Sequence, residues 1–171
     1  MASGTFSQPA GTKRVVRCSV SFAGFASSST SASRVMRANR KSGTSPERLL
    51  SDAFRSIRLS FTPHGARLPG TPDFVFDRAK VVVFCDGDFW HGRSWRMRRA
   101  RLMRGANPGY WIPKILSNRR RDRLVNSQLK ALGWHVLRVW ESEVRKDATA
   151  VARRVEPLLR NGRGRRPQSS R

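Results

Sequence analysis

Apolar residues recur along this chain with two different periods, and the changes of period mark its elements. In "TSPERLLSDAFRSI", Leu49, Leu50, Ala53, Phe54 and Ile57 repeat at helical spacing. Thr44 or Ser45 can cap that segment, Pro46 suits its first turn, and Glu47 suits the positive end of a helix, so a core-facing helix is predicted. After the turn-rich "HGARLPGTP", the stretches "DFVF" and "KVVVFCDG" read as strands. The second is an unbroken apolar run of the kind found in strands buried on both faces. Helical spacing returns from Ile112 to Leu132 through Ile115, Leu124, Leu129 and Leu132, and Gly133 is placed as a helix stop. "WHVLRVWESEV" predicts a further strand, in which Trp134 and Trp140 are expected to be buried. "ATAVARRVEPLLR" predicts a last helix, bent near Pro157. The order helix, strand, strand, helix, strand, helix predicts an α/β fold with a mixed central sheet flanked by helices on both faces. The stretch from Arg93 to Asn107 has no clear period.

The ends have no such pattern. Residues 1–32 are Ser-rich and basic and read as a disordered arm, although "SRVMRANR" from Ser33 could form a short basic helix. Residues 33–159 form the expected single domain, and 160–171 a basic, disordered tail. A chain of 171 residues suits one core of this kind.

Charge narrows the function. Thirty-five Lys and Arg against eleven Asp and Glu give a net charge of +24, which calls for a polyanionic partner. No segment has the apolar length needed to span a bilayer, so nucleic acid is favoured over a membrane surface. Arg34, Arg37 and Arg40 of the arm, and Arg119 and Arg121 in the run 119–123, are candidate phosphate contacts. For any single Arg of that run, a solvated helix face explains its presence almost as well. Two cysteines, Cys18 and Cys85, cannot build a disulfide framework and fit a reduced cytosol. The acid-free first 46 residues also resemble an organelle transit peptide, but lack the apolar core of a secretory signal.

Acidic residues are scarce, so their grouping in "PDFVFDRAKVVVFCDGDFWHG" carries information. If the two strands there pair as a hairpin, Asp73 at the start of one lies near Asp86 at the end of the other. Two hard oxygen ligands held together call for a divalent cation such as magnesium. The alternative is that both aspartates serve turns, after Pro72 and before Gly87.

The segments "TSPERLL", "LPGTPDFVF", "FCDGDFWHG" and "YWIPKILSNRRRDRLVNSQLKALGWHVLRVWE" resemble, in order and spacing, the very short patch repair endonucleases. The resemblance covers about residues 33–145. It implies the fold of type II restriction enzymes, the PD-(D/E)XK core, and magnesium-dependent nicking of double-stranded DNA beside a T:G mismatch. On that resemblance Asp73 is the metal-binding aspartate, His91 the general base, Glu47 an active-site acid, and Cys85 the residue whose backbone carbonyl reaches a metal. Phe89, Trp90 and Trp111 become wedges into the base stack; on residue type alone Phe89 and Trp90 would be assigned to the core. His64 and His135 receive no role, and Trp95 stays open between core and surface.

Two departures from the family pattern stand out. Asp86 replaces a second family histidine, and is expected to join Asp73 as a metal ligand. The four positions matching the family's structural zinc site are Asp88, Arg93, Trp95 and Ser142, a set unfit for tetrahedral zinc, so no zinc is expected and an Asp88 to Arg93 ion pair could replace it. The reading is a monomeric cytoplasmic, nucleoid-associated bacterial enzyme, with repair or restriction-modification proteins as further partners. A restriction or modification-dependent endonuclease of the same fold, and a DNA-binding protein without catalysis, are the alternatives.

Overall fold

The computed structural model of the chain describes residues 44–163. The basic arm with Arg34, Arg37 and Arg40, the short helix expected from Ser33, and most of the basic tail lie outside the described residues.

The first helix, α1 (Ser45–Ser56), starts at Thr44 with Pro46 in its first turn, and buries Leu50, Ala53 and Phe54. Four strands follow: β1 (Thr62–Pro63), β2 (Phe74–Phe76), β3 (Val81–Asp86) and, after two helices, β4 (His135–Trp140). They form one mixed sheet in the order β1-β2-β3-β4. The β2/β3 hairpin is antiparallel with Phe74 opposite Val83, and β3/β4 is parallel with Phe84 opposite Arg138. β1 was not legible: two residues carry no period, and its Pro63 is tolerated because the strand lies at the sheet edge.

Alternation along β3 divides the interior into two layers. Val81 and Val83 join Leu50, Phe54, Phe74, Val139 and Val155 on one face. Val82 and Phe84 meet Val125, Leu129 and Trp134 on the other. The first layer is fixed by aromatic edges: the Phe54 ring lies 5.1 Å from Phe74 and 5.3 Å from Phe76, centroid to centroid. The expected burial of β3 on both sides is therefore observed, with helices on both faces of the sheet.

Between β3 and β4 the chain forms α2 (Trp95–Met103) and the long α3 (Pro108–Ala131). α2 has no buried residue, which is why it has no readable period. α3 begins four residues earlier than the spacing indicates, because Pro108 occupies its first turn, where a proline ring fits. Its buried line is Ile115, Val125 and Leu129. Leu124 and Leu132, expected in the core, are 50 % and 58 % exposed, as is Leu49 of α1 at 42 %. One residue's step of about 100° turns Leu124 off the face that Val125 occupies.

β4 ends at Trp140, and "ESEV" is helical rather than extended: α4 (Glu141–Lys146) starts there with Glu141 and Glu143 in its positive first turn. Trp134 is buried as expected, whereas Trp140 is half-buried beneath the Arg93 guanidinium at 5.8 Å. Two short helices, α5 (Ala148–Arg153) and α6 (Glu156–Arg163), replace the single bent helix. The break lies at Arg154 and Val155, just before Pro157. No helix among the described residues is long and apolar enough to cross a membrane.

One loop contact fixes the approach to the hairpin. Gly70 has φ +75°, and a Cβ there would lie 2.4 Å from Val125 Cγ1 of α3. Gly70→Ala is expected to destabilise the fold by about 2 kcal/mol, through both the left-handed backbone and the overlap. A urea titration of the two proteins measures it.

Candidate active site

The end of the β2/β3 hairpin opens into a cleft of about 1440 Å³, walled by the start of α1, the loop after β3 and the middle of α3. Glu47, Asp73, Asp86 and His91 all line it, as do Phe89 and Trp90. The expected gathering of the hairpin aspartates therefore occurs, but as two sets rather than one.

The first set is Glu47, His64 and Asp73, whose ligand atoms lie within 4.8 Å of one another. Asp73 precedes β2, and its Oδ2 accepts the Cys85 N–H at 2.7 Å, which ties it to the end of β3. Thr44 Oγ1 donates to Glu47 Oε1 at 2.7 Å and orients that buried carboxylate. Burial pushes Asp73 up to about 6, and the negative charges of Glu47 and Asp86 add to the rise while the Cys85 N–H opposes it. Burial, with Asp73 next in effect, also raises the Cys85 thiol and so disfavours the thiolate. Two carboxylates held this close together are suited to a divalent cation with oxygen preference.

The second set is Asp86, His91 and Asp122. His91 Nδ1 lies 2.6 Å from Asp122 Oδ2 and 3.6 Å from Asp86 Oδ1. Asp86 does not turn toward Asp73 as a free ligand. Both its oxygens lie on Arg138 Nη1, at 2.8 and 2.7 Å, because the parallel register sets Arg138 on the neighbouring strand beside it. Arg138 also approaches Asp122 Oδ1 at 3.2 Å, receives support from Asn126 at 3.1 Å, and covers the Phe84 ring at 4.5 Å. The Arg138 guanidinium thus pairs with both carboxylates of a set whose ligand atoms also lie close enough together to hold a metal. Burial raises Asp86, and His91 and Arg138 act against that rise. Burial works on Asp122 too, but its hydrogen bond to His91, with His91 and Arg138 charge, holds it below the usual carboxylate range.

Beside these sets Phe89 packs edge to face on Trp90 and Trp111, each at 5.2 Å between centroids, Trp90 and Trp111 lie tilted at 5.8 Å, and Tyr110 joins Trp111 at 4.9 Å. All are half-buried, so the cluster belongs neither to the core nor to open surface. Asn118 Nδ2 donates to the Trp90 carbonyl at 2.9 Å and anchors it to α3. Arg121 lines the cleft, but Arg119 does not: it donates to the Gly92 carbonyl at 3.0 Å and lies over Trp95 at 5.6 Å. The ion pair expected between Asp88 and Arg93 is present at 3.1 Å, with Ser142 bonded to both and Glu143 Oε1 3.3 Å from Arg93. Sequence reasoning missed His64, Asp122 and Arg138. Asp122 had a signal, being the single acid inside the arginine run 119–123; Arg138 had none, since its partner is set by strand register.

A family profile described as DNA mismatch endonuclease Vsr matches residues 27–97. The type II nicking enzyme V.NmeDIP of Neisseria meningitidis serogroup C is 40 % identical over 131 residues, covering 77 % of this chain and 87 % of that protein. The type II nicking enzyme V.NaeI of Lentzea aerocolonigenes is 42 % identical over 124 residues, 70 % of this chain and 72 % of the relative. The DNA mismatch endonuclease Vsr of Escherichia coli (strain K12) is 38 % identical over 113 residues, 66 % of this chain and 70 % of that protein. Identity at this level over 113 to 131 residues, a longer stretch than the profile matches, makes this chain a member of the Vsr family of DNA mismatch endonucleases, and a DNA-cutting enzyme.

Proposed function

We propose that this endonuclease nicks duplex DNA beside a T:G mismatch with the help of magnesium, on a PD-(D/E)XK-type core. The observation that carries the reading is the meeting, in one cleft, of the Glu47 and Asp73 carboxylates with the His91 and Asp122 pair. Glu47, Asp73 and the Cys85 carbonyl would hold the ion. When bound, it would polarise the scissile phosphate and stabilise the leaving oxygen. Asp122 would accept a hydrogen bond from the Nδ1–H of His91 and so leave Nε2 to accept a proton from the attacking water. Asp86, neutralised by Arg138, holds that arginine at the floor of the cleft rather than serving as a ligand. Arg121 would meet phosphate at the rim, and the Phe89, Trp90 and Trp111 cluster would enter a base step already weakened by mispairing.

Asp122→Asn tests the pairing. An amide in place of the carboxylate removes the partner that fixes the His91 tautomer, and cutting under single-turnover conditions is expected to slow by about 10²-fold. Some stability should be lost as well, since the carboxylate ionises more readily in the folded state and also pairs with Arg138, so rates are compared well below the melting temperature of the variant.

The substrate is tested with magnesium and duplexes that differ in a single T:G pair. Nicking of the mismatched strand alone supports the proposal. Equal cutting of matched duplexes would instead favour a restriction-type activity, for which the departures from the family pattern at Asp86 and at the zinc positions Asp88, Arg93, Trp95 and Ser142 are the supporting observations.

A further inference from the structure

A second concavity, of about 640 Å³, lies along α2 and is separate from the catalytic cleft. Met97, Arg98, Arg101 and Arg104 form its outer wall, and Asp88, Arg93 and Ser142 its inner end. Between Phe89 and Arg121 the sequence carries ten basic residues and no acid. At the inner end the charge is already matched, because Arg93 is engaged by Asp88, Ser142 and Glu143. The outer wall differs: among the described residues no carboxylate lies within ion-pair distance of Arg98, Arg101 or Arg104. Like charges three residues apart destabilise a helix, and α2, nine residues long with nothing buried, gains little in return from the core. A bound polyanion would relieve the repulsion.

The geometry points to one occupant. At a rise of about 1.5 Å per residue, Arg98 to Arg104 spans about 9 Å along the helix. Three consecutive phosphates of one DNA strand are separated by two steps of about 3.4 Å, about 7 Å of rise, a mismatch that long arginine side chains can take up. Arg98 also lies over the Phe89 ring at 5.3 Å, so the wall continues directly from the aromatic cluster beside the cleft. We propose that the outer wall of α2 binds consecutive phosphates of one DNA strand flanking the cut, with Arg101 and Arg104 as the main contacts and Arg98 as the joint to the aromatic cluster. The proposal rests on DNA being the substrate, and adds a second phosphate track outside the catalytic cleft.

The test is the salt dependence of binding by the full chain to fluorescent duplexes in EDTA, where no cutting intervenes. Each lost phosphate contact lowers the slope of log K against log salt by about 0.9. R101Q/R104Q is expected to lower the slope by about 1.8, R101K/R104K to restore it, and the difference to vanish on duplexes shortened at one flank only. An unchanged slope, or an equal loss whichever flank is shortened, overturns the proposal. A loss that lysine does not restore assigns the effect to damage of the helix and overturns it likewise. Magnesium-dependent cutting by the unsubstituted protein, measured in parallel, reports on the endonuclease reading alone, so the two can fail separately.

Discussion

Asp73→Asn is expected to slow DNA cutting by about 10³-fold or more and, at the same time, to make the metal-free protein more stable at neutral pH. The loss of rate follows from losing the carboxylate around which the cation seat is built; stabilisation by a metal of several kcal/mol corresponds to that factor. The gain in stability follows from the raised Asp73 value. Its carboxyl ionises near 3.8 when unfolded but near 6 when folded. Between these values the folded state binds more protons, so stability falls as pH rises from about 4 to 6, and the whole penalty is present above that. Its size is about 2 to 3 kcal/mol. Asparagine carries no such penalty. Denaturant titrations in EDTA at pH 4.5 and 7.5 should therefore show the unsubstituted protein weakening across the window through this group and the variant spared that loss. Magnesium at pH 7.5 should stabilise the first and leave the second unchanged. Equal stabilisation of both by magnesium would place the ion elsewhere.

Arg138→Met carries the second large effect. Asp86 is 5 % exposed, and both of its oxygens depend on the Arg138 guanidinium. Removing the cation leaves a buried carboxylate without its charge partner, which costs about 3 to 5 kcal/mol when one member of a buried pair is deleted. The double variant D86N/R138M, which removes both charges, should recover much of the loss, since a buried pair contributes little net stability compared with an uncharged replacement. Thermal denaturation of the single and double variants measures the coupling. Cutting by R138M should also fall, because Arg138 touches Asp122 as well and so supports the group that orients His91.

How much of this was legible in the sequence depended on whether a residue's role is set locally or across the sheet. The hairpin was readable because Val81, Val82 and Val83 form a run that only a doubly buried strand would carry, and Asp73 and Asp86 flank it at fixed distances. Glu47 was readable from its place in the first turn of α1. The partnership of Asp86 was not. It is decided by Arg138, more than fifty residues away, through the parallel register of β3 and β4, and nothing in either local stretch announces that register. The sequence placed Asp86 with the metal and had no signal for the arginine that the structure pairs with it. The same reason hid the role of Asp122, which faces His91 from α3 across the sheet end. α2 escaped for a different reason: a helix that buries nothing leaves no apolar period to read.

The most direct measurement of the central claim, that an ion held at Asp73 contacts the phosphate under attack, replaces one non-bridging oxygen of that phosphate with sulfur. Sulfur is a poor ligand for magnesium and a better one for softer cations. Single-turnover cutting of the sulfur-bearing duplex should be strongly slowed in magnesium and recovered in manganese or cadmium, with no such recovery in Asp73→Asn. Cutting that is equally fast in magnesium with either stereoisomer of the sulfur-bearing duplex, or equally slow with every cation, would contradict the account.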